Sequence, residues 1–314
     1  MPRNSPLDVS ADNAVHQDDV ESLTVGIVGL GLIGGSFARA YAAAGASVLA
    51  FDPNTDAIDL ALVDTIEGIL DEQTIGTCNL IILAAYPDAC TAWLSDHAEA
   101  LALATTDPVR EGPLVIDTAG VKGHLCDRAF ELAQSHGFAF CGTHPMAGTE
   151  FSGFAHARAD LFQGAPMVLV PPRLSDLDRL DLLDRTHMLL APCGFGSFSV
   201  TTPSEHDRVI AFTSQLAHVV SNAYVKSPTA QKHHGFSAGS YRDLTRVAHL
   251  NAGMWSELMM DDADNLSFEL STLIDNLGAV RDALDAGDTS RLRDLLAEGD
   301  RIKRALDDAR QEDA

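Results

Sequence analysis

Three glycines in the run Gly29-Leu30-Gly31-Leu32-Ile33-Gly34 have the spacing GxGxxG between a predicted strand and a predicted helix. In such a unit the first glycine permits a tight turn, the second lets a pyrophosphate approach the backbone, and the third lets helix and strand pack closely. The positive N-terminus of the helix, beginning at Leu32 and Ile33, then faces the phosphates. The spacing predicts a dinucleotide site; the alternative is a glycine-rich turn in a sheet that binds nothing.

Asp52 ends the second predicted strand, 18 residues after Gly34. A carboxylate at this place accepts hydrogen bonds from the ribose hydroxyls of NAD and repels the 2′-phosphate of NADP. No Arg or Lys follows Asp52 until well beyond it. We therefore expect NAD as the cofactor.

His144 is the candidate for acid–base chemistry. It lies in GTHPMAGTE, residues 142–150, one predicted strand after DTAGVKG, residues 117–123. Both segments follow the carboxyl ends of predicted strands, where open α/β sheets bind ligands. A neutral imidazole there can accept the proton of a substrate alcohol while hydride leaves for the nicotinamide ring. From position alone, His144 could equally be a turn histidine with no chemical role.

A second polar group lies in a helical stretch nearer the C-terminus. Asp207, Ala211, Ser214 and His218 follow at steps of 4, 3 and 4, so Ser214 and His218 share one helix face. The alternative for His218 is a core or capping role.

The stretch RDLTR places Arg242 and Arg246 four residues apart, and Trp255 follows nine residues later. A cationic and aromatic wall of this kind suits a ring that bears carboxylates. Surface ion pairs of the two arginines with Asp243 are the alternative.

The elements that must position these residues are short strands alternating with helical segments. The segments 32–44 and 121–136 have the length of crossover helices, so the predicted fold class is α/β, a Rossmann-type, mostly parallel sheet covered on both faces. The predicted strands are residues 24–29, 47–51, 79–84, 114–117, 138–142, 165–170 and 196–200.

The strand signal disappears after residue 201. Thr202 as N-cap, Pro203 at the first helical position and Glu205 three residues after the cap predict a helix start. The pattern then stays helical to residue 310, with an interruption around residues 227–239. We therefore predict three parts: a flexible tail at residues 1–22, a NAD-binding Rossmann domain at 23–201, and an all-helical substrate and dimerisation domain at 202–314.

Apolar residues recur at alternating steps of 4 and 3 along the predicted long helix after Asn265, and the last predicted helix has a similar pattern. This a/d stripe either faces a second copy of the chain or packs inside its own domain. Its members are Leu266, Leu270, Leu273, Leu277, Val280, Leu284, Leu292, Leu295, Ile302 and Leu306.

The 314 residues include 45 Asp and Glu against 21 Lys and Arg, a net charge of −24. Nucleic acid needs many Lys and Arg contacts, so this charge excludes it as a general partner and disfavours an anionic membrane surface. The longest apolar run, residues 78–86, is too short to span a bilayer, and residues 1–22 lack the features of a signal peptide. The five scattered cysteines favour reduced thiols in a cytoplasm, with neither a disulfide framework nor a metal site.

The motifs GLGLIGGS, DTAGVKG, GTHPMAGTE, EHD, SQLAH and AGSYRDLTRVA, followed by MW, occur in this order over about residues 23–310. The set closely resembles the prephenate and arogenate dehydrogenase family of tyrosine biosynthesis. The resemblance implies an NAD-dependent oxidative decarboxylation, in which prephenate loses hydride and CO2 and becomes 4-hydroxyphenylpyruvate. It also implies a homodimer formed through the helical domain.

The resemblance further implies roles for single residues. The histidine of HPM, here His144, relieves the substrate hydroxyl of its proton, and Arg246 holds a substrate carboxylate. His218 reads the substrate side chain, with Ser214 and Trp255 nearby. The family's gate between the Glu after HPM and the charged pair before LTR falls on Glu150, Arg242 and Asp243.

Two positions depart from the family's pattern. Gly120 stands where a serine commonly helps to hold the catalytic histidine and the substrate hydroxyl. That hydrogen bond is either absent or comes from elsewhere, with Thr118 and Thr143 as candidates. Gln215 and Ala217 replace a histidine and a proline of the SHLPH-type motif.

Three other functions remain open. Arogenate dehydrogenation is one, although the acid-poor wall of Arg242 and Arg246 favours the keto acid prephenate. A β-hydroxyacid dehydrogenase or imine reductase would typically use a lysine in its helical domain, and none occurs between Lys232 and Lys303. A catalytically silent NAD-binding regulator is the third.

Overall fold

The computed structural model describes residues 20–149, 151–233 and 235–312. Most of the predicted N-terminal tail and Glu150 therefore lie outside the described residues. The strands are β1 Thr24–Val28, β2 Ser47–Phe51, β3 Gly68–Ile69, β4 Leu80–Leu83, β5 Leu114–Asp117, β6 Ala139–Pro145, β7 Pro166–Val170 and β8 Ser197–Val200. The helices are α1 Leu32–Ala44, α2 Thr55–Ala61, α3 Pro87–Leu103, α4 Gly123–His136, α5 Asp176–Leu190, α6 Pro203–Ile210, α7 Ala217–Tyr224, α8 Gly239–Thr245, α9 Ala252–Asp261, α10 Ala263–Asp285 and α11 Thr289–Glu312.

The described strands form one sheet in the order β3-β2-β1-β4-β5-β6-β7-β8. All neighbours run parallel except β6 and β7, which are antiparallel. The order steps from β1 across to β4, the crossover at which open α/β sheets bind ligands beside the carboxyl ends of the strands. The prediction of a mostly parallel Rossmann-type sheet is confirmed.

Alternate residues of β4 show that both faces of the sheet are covered. Leu80 and Ile82 belong to one buried apolar cluster, with Phe37 of α1, whereas Ile81 and Leu83 belong to another, with Leu94 of α3. A central strand buried on both faces has no polar alternation, which is why its sequence is a continuous apolar run. Because both faces of the sheet are packed, the carboxyl ends of its strands, which carry the candidate site, are held in fixed positions.

Two compact units divide the chain. The sheet unit comprises the described residues of Pro6–Ile210 together with His249–Asp261, and the helical unit comprises those of Ala211–Ala248 and Asp262–Ala314. The sheet unit thus includes α6, and the side chain of Asp207 in α6 binds the start of α4. The predicted boundary itself stays a prediction.

The helix start at residue 202 is confirmed, since the backbone N–H of Glu205 donates to Thr202 Oγ1 at 3.3 Å. The regular helical spacing assumed beyond it is wrong, because Ala211–Leu216 forms a π-helix. A π-turn adds one residue to the repeat, so Asp207 does not continue a stripe with Ser214 and His218.

The a/d stripe of the helical unit is only partly covered. Leu266 is buried, but Leu277 and Leu284 are each 60% exposed. Ile302 and Leu306 of α11 are exposed as well. No described helix is both long enough and apolar enough to cross a membrane.

Candidate active site

The glycine turn between β1 and α1 has the geometry of a phosphate cradle. Gly29 has φ +95°, which favours glycine, and a Cβ at Gly34 would lie 1.9 Å from the carbonyl oxygen of Gly29. A Cβ at Gly31 would meet nothing within 4 Å. Within the described residues no side chain caps the N-terminus of α1. The open space over Gly31 and the uncapped helix end fit a pyrophosphate.

Asp52 directly follows β2, as predicted, and braces this turn. Its Oδ2 accepts a hydrogen bond from the backbone N–H of Leu30 at 2.6 Å, and its Oδ1 accepts one from Asn54 at 2.8 Å. A carboxylate has about four lone-pair positions, so acceptors remain for ribose hydroxyls. Leu32 and Ile33 follow as the first residues of α1, partly exposed beside Gly31.

His144 lies inside β6 rather than after it. The predicted strand ended at residue 142, but antiparallel pairing with β7 places His144 opposite Val168 and extends the strand to Pro145. The side chain is still at the carboxyl end of β6, where a ligand of the sheet would bind.

The ring of His144 contacts His206 of α6, which is itself held by Asp207. His144 Nδ1 is 2.9 Å from His206 Nε2, and His206 Nδ1 is 2.7 Å from Asp207 Oδ1. Asp207 in turn accepts hydrogen bonds at 2.7 Å from the backbone N–H groups of Lys122 and Gly123, at the start of α4. The result is a line of three side chains ending at His144.

Burial is the main cause of a pKa well below the ordinary value of 6.5 at His144, and the positive charge of Lys122 and the neighbouring His206 lower it further. Burial also lowers the pKa of His206, although the hydrogen bond to Asp207 opposes this shift. Both rings are therefore neutral near pH 7. A neutral imidazole whose engaged nitrogen is the hydrogen-bond donor keeps the lone pair of its other nitrogen for proton transfer.

His206 and Asp207 are the functional residues that sequence reasoning missed. The motif EHD was noted as part of the family pattern, but no role was assigned to its histidine, and Asp207 was placed on a helical stripe with Ser214. The available signal was an acidic residue next to a histidine, which is too common on helix surfaces to identify a pair of this kind.

The space around Gly120 is open. A Cβ there would come no closer than 3.8 Å to the side chain of Leu258. The two threonines considered as substitutes for the missing serine hydroxyl are engaged elsewhere: Thr118 Oγ1 donates to the carbonyl of Leu83, and Thr143 Oγ1 donates to that of Asp117.

The remaining predicted substrate residues divide between the two compact units. Trp255 in α9 is partly buried in the sheet unit. Ser214, His218, Arg242, Asp243 and Arg246 belong to the helical unit, and Glu150 of the predicted gate lies outside the described residues.

Inside the helical unit His218 is held by the helix itself, since its Nδ1 is 2.9 Å from the carbonyl oxygen of Ser214. The side chains of Arg242, Asp243 and Arg246 are exposed. Over the described residues neither arginine forms an ion pair with Asp243. The two guanidinium groups are thus not neutralised by the acid between them.

Comparison with known families places both parts of the chain. The profile described as "Prephenate dehydrogenase, nucleotide-binding domain" matches residues 37–193, and the one described as "Prephenate dehydrogenase, dimerization domain" matches residues 202–298. The chain belongs to the prephenate dehydrogenase family. The first match begins after the glycine turn, so the phosphate cradle is an independent observation.

Individual members of the family agree over most of the chain. A prephenate dehydrogenase of Bacillus subtilis is 27% identical over 293 residues, 86% of this chain and 72% of the relative. Synechocystis arogenate dehydrogenase is 25% identical with a TM-score of 0.71, covering 90% of this chain and 100% of that one. Prephenate dehydrogenase from Aquifex aeolicus, in complex with hydroxyphenyl propionate and NAD+, is also 25% identical with a TM-score of 0.71, covering 90% and 98%.

Proposed function

We propose that the protein catalyses the NAD-dependent oxidative decarboxylation of prephenate to 4-hydroxyphenylpyruvate. The observation that carries the proposal is the state of His144: its pKa is well below its ordinary value, and its Nδ1 is engaged by His206. A general base for an alcohol must be neutral and must have a free lone pair at working pH. His144 has a lowered pKa, and its Nε2 is the ring nitrogen that His206 does not engage, in a chain that matches both family domains.

His144 Nε2 accepts the hydroxyl proton of the substrate as hydride leaves the carbinol carbon, which becomes a carbonyl. Bound NAD supplies the hydride acceptor. The bond to the ring carboxylate then breaks, CO2 leaves, and the electron pair aromatises the ring. The carbonyl oxygen becomes a phenol oxygen and takes back the proton held by His144, so the ring of His144 ends neutral.

The preference for NAD over NADP rests on Asp52. Its carboxylate is fixed at the end of β2 by the N–H groups of Leu30 and Asn54. A 2′-phosphate at that place would meet a negative charge. Gly29, Gly31 and Gly34, with the first turn of α1, would hold the pyrophosphate.

The substrate side is proposed from the family pattern. Arg246 binds a substrate carboxylate, with Arg242 as a second cation. His218 reads the substrate side chain, and Ser214 and Trp255 are further substrate-binding residues. Gly120 leaves open space beside Leu258. By the family pattern, Glu150 and Asp243 belong to the gate. An exposed guanidinium that is not neutralised by a neighbouring acid, as at Arg246, is available to bind a carboxylate.

Arogenate is the alternative substrate, because one similar structure is that of an arogenate dehydrogenase. The formation of NADH, followed spectrophotometrically with each substrate and with NAD or NADP, tests the proposal. Faster turnover of prephenate with NAD is expected. No NADH from either substrate, in protein that binds NAD, would favour a silent NAD-binding regulator instead.

The helical unit is proposed to form a homodimer. The match to the family's dimerisation domain supports this, as do the exposed apolar side chains on α10 and α11. Large exposed apolar patches are typical of protein interfaces. Sedimentation analysis tests the proposal, and a monomer at micromolar concentration would contradict it.

A further inference from the structure

His206 has no role in the proposed reaction so far, yet its ring is buried and contacts the base. We propose that His206 is a positioning residue: held by Asp207, it accepts the Nδ1–H hydrogen bond of His144 and so keeps the lone pair of His144 on Nε2. That Nε2 accepts a proton from the substrate hydroxyl rests on the proposed function. Which ring nitrogens of His144 and His206 carry protons is argued from the geometry alone.

The direction of each hydrogen bond follows from Asp207. A carboxylate only accepts, and this one already accepts two backbone N–H groups, from Lys122 and Gly123. His206 Nδ1 faces it at 2.7 Å and must therefore carry a proton. The other nitrogen of a neutral ring then has the lone pair, so His144 must donate from Nδ1 to His206 Nε2.

This arrangement of donors and acceptors requires a neutral His206. A protonated His206 would donate from both nitrogens, His144 Nδ1 would have to accept, and the remaining proton of His144 would move to Nε2. The base would then be lost. Burial and the nearby ammonium group of Lys122 both disfavour the charged form of His206, whereas Asp207 and the carboxylate of Asp117 favour it.

Over the described residues the ring of His144 has no other hydrogen-bond partner. Gly120 offers no side chain, and the hydroxyls of Thr118 and Thr143 are used by backbone carbonyls. The nearest side-chain atoms to a Cβ at Gly120 belong to Leu258, an apolar residue. A chain without a serine at position 120 therefore depends on His206 to set the tautomer of its base.

Two substitutions of His206 separate positioning from packing. In His206→Asn the amide lies near the place of Nδ1 and can still donate to Asp207, but it ends short of His144. In His206→Gln the side chain reaches the place of Nε2 and offers an acceptor oxygen. We expect His206→Asn to lower kcat by roughly 10- to 100-fold, with an unchanged KM for NAD, and His206→Gln to restore most of the loss. His97→Asn in α3 is the matched control and should have no effect.

An NMR measurement that does not depend on catalysis completes the test. Long-range ¹H–¹⁵N correlation spectra of histidine-labelled protein report which ring nitrogen carries the proton, and the signals of His144 are those missing in His144→Asn. The wild-type protein should show the Nδ1–H form of His144 at neutral pH, and His206→Asn should lose it. Absence of NADH formation would count against the reaction, not against this spectrum.

Two results would overturn the inference. One is a wild-type spectrum with the Nε2–H form or a charged ring at His144. The other is a folded His206→Asn protein with normal kcat and an unchanged spectrum. If His206→Asn does not fold, as judged by circular dichroism, the wild-type spectrum alone decides.

Discussion

The ammonium group of Lys122 is ion-paired with the carboxylate of Asp117, and neither side chain has any exposed surface. Asp117 is the last residue of β5, and it also accepts hydrogen bonds from the backbone N–H groups of Ala119 at 2.9 Å and Thr143 at 3.0 Å. One carboxylate thus joins the loop after β5 to the end of β6, directly before His144. These contacts give Lys122 a structural role, and its charge close to His144 and His206 gives it a second, electrostatic one.

The structural role predicts a large loss of stability in Lys122→Met. The variant leaves the buried carboxylate of Asp117 without its cation, and breaking a buried pair in this way costs about 3–5 kcal/mol. Urea denaturation of wild type and variant measures the difference. The double variant Lys122→Met with Asp117→Asn removes both charges and should recover a large part of the loss. Equal stability of the single and double variants would show that the charge of Asp117 is not the cause.

The neutral histidines predict that stability falls in mild acid. The pKa values of His144 and His206 are below their ordinary value of 6.5 in the folded protein. Below about pH 6.5 the unfolded chain therefore binds protons that the folded chain does not, and the free energy of unfolding decreases as pH falls toward the folded-state values. Each ring contributes a slope of up to about 1.4 kcal/mol per pH unit.

The groups that face the two rings are Lys122, Asp207 and Asp117, and the acids favour protonation of His206. Urea denaturation at a series of pH values should give a shallower acid slope for His144→Asn than for wild type. Identical slopes in the two proteins would mean that His144 does not have a lowered pKa when folded.

The local sequence pattern was enough to predict most helices and strands of the sheet unit. The predicted helix at residues 32–44 matches α1 at both ends, and the strands at 47–51 and 114–117 match β2 and β5, because apolar runs, glycines and turn residues mark their limits. β3 was missed, since a strand of two residues is too short to show an alternating apolar pattern. β6 continues through His144 only because β7 pairs with it, a contact that no local pattern encodes.

Sequence analysis named single candidate residues of the site but not the contacts between His144, His206 and Asp207. His206 contacts His144 across 62 positions of sequence, and Asp207 reaches the start of α4 across 85. Spacing along one helix cannot show such contacts. It also assumes a constant repeat, which the π-helix at Ala211–Leu216 breaks directly before His218.

The glycine turn predicts opposite behaviour for two alanine variants. Gly34→Ala would bring its Cβ to 1.9 Å from the carbonyl oxygen of Gly29, and the turn must shift at a cost of about 3 kcal/mol. Gly31→Ala meets no protein atom within 4 Å, so stability should change by less than about 0.5 kcal/mol. The methyl group would instead occupy the proposed place of the pyrophosphate.

Calorimetric titration with NAD distinguishes the two roles. Loss of charge-assisted hydrogen bonds worth about 1.5–3 kcal/mol corresponds to a Kd raised roughly 10- to 100-fold in Gly31→Ala. Normal NAD affinity in a stable Gly31→Ala protein would place the pyrophosphate elsewhere.

His144→Asn is expected to bind NAD normally while kcat falls by roughly 100-fold or more, because it removes a proton acceptor and not a contact surface. Steady-state kinetics and NAD titration measure the two effects separately. His187→Asn, a histidine that packs on Phe198 in the same unit, serves as the control. Near-normal turnover of His144→Asn would remove His144 from the reaction.

Arg246→Ala tests how an acidic protein binds a dianion. The net charge of −24 repels prephenate at a distance, but salt screens exposed charges beyond about 8 Å, whereas a guanidinium in contact acts directly. Loss of a charge-assisted contact worth about 1.5–3 kcal/mol should raise the KM for prephenate roughly 10- to 100-fold and leave the KM for NAD almost unchanged. Arg281→Ala, which removes an exposed arginine of α10, changes the net charge equally and should alter neither constant. Equal increases in both constants for Arg246→Ala would mean that this arginine acts through net charge or folding, and that another cation binds the substrate carboxylate.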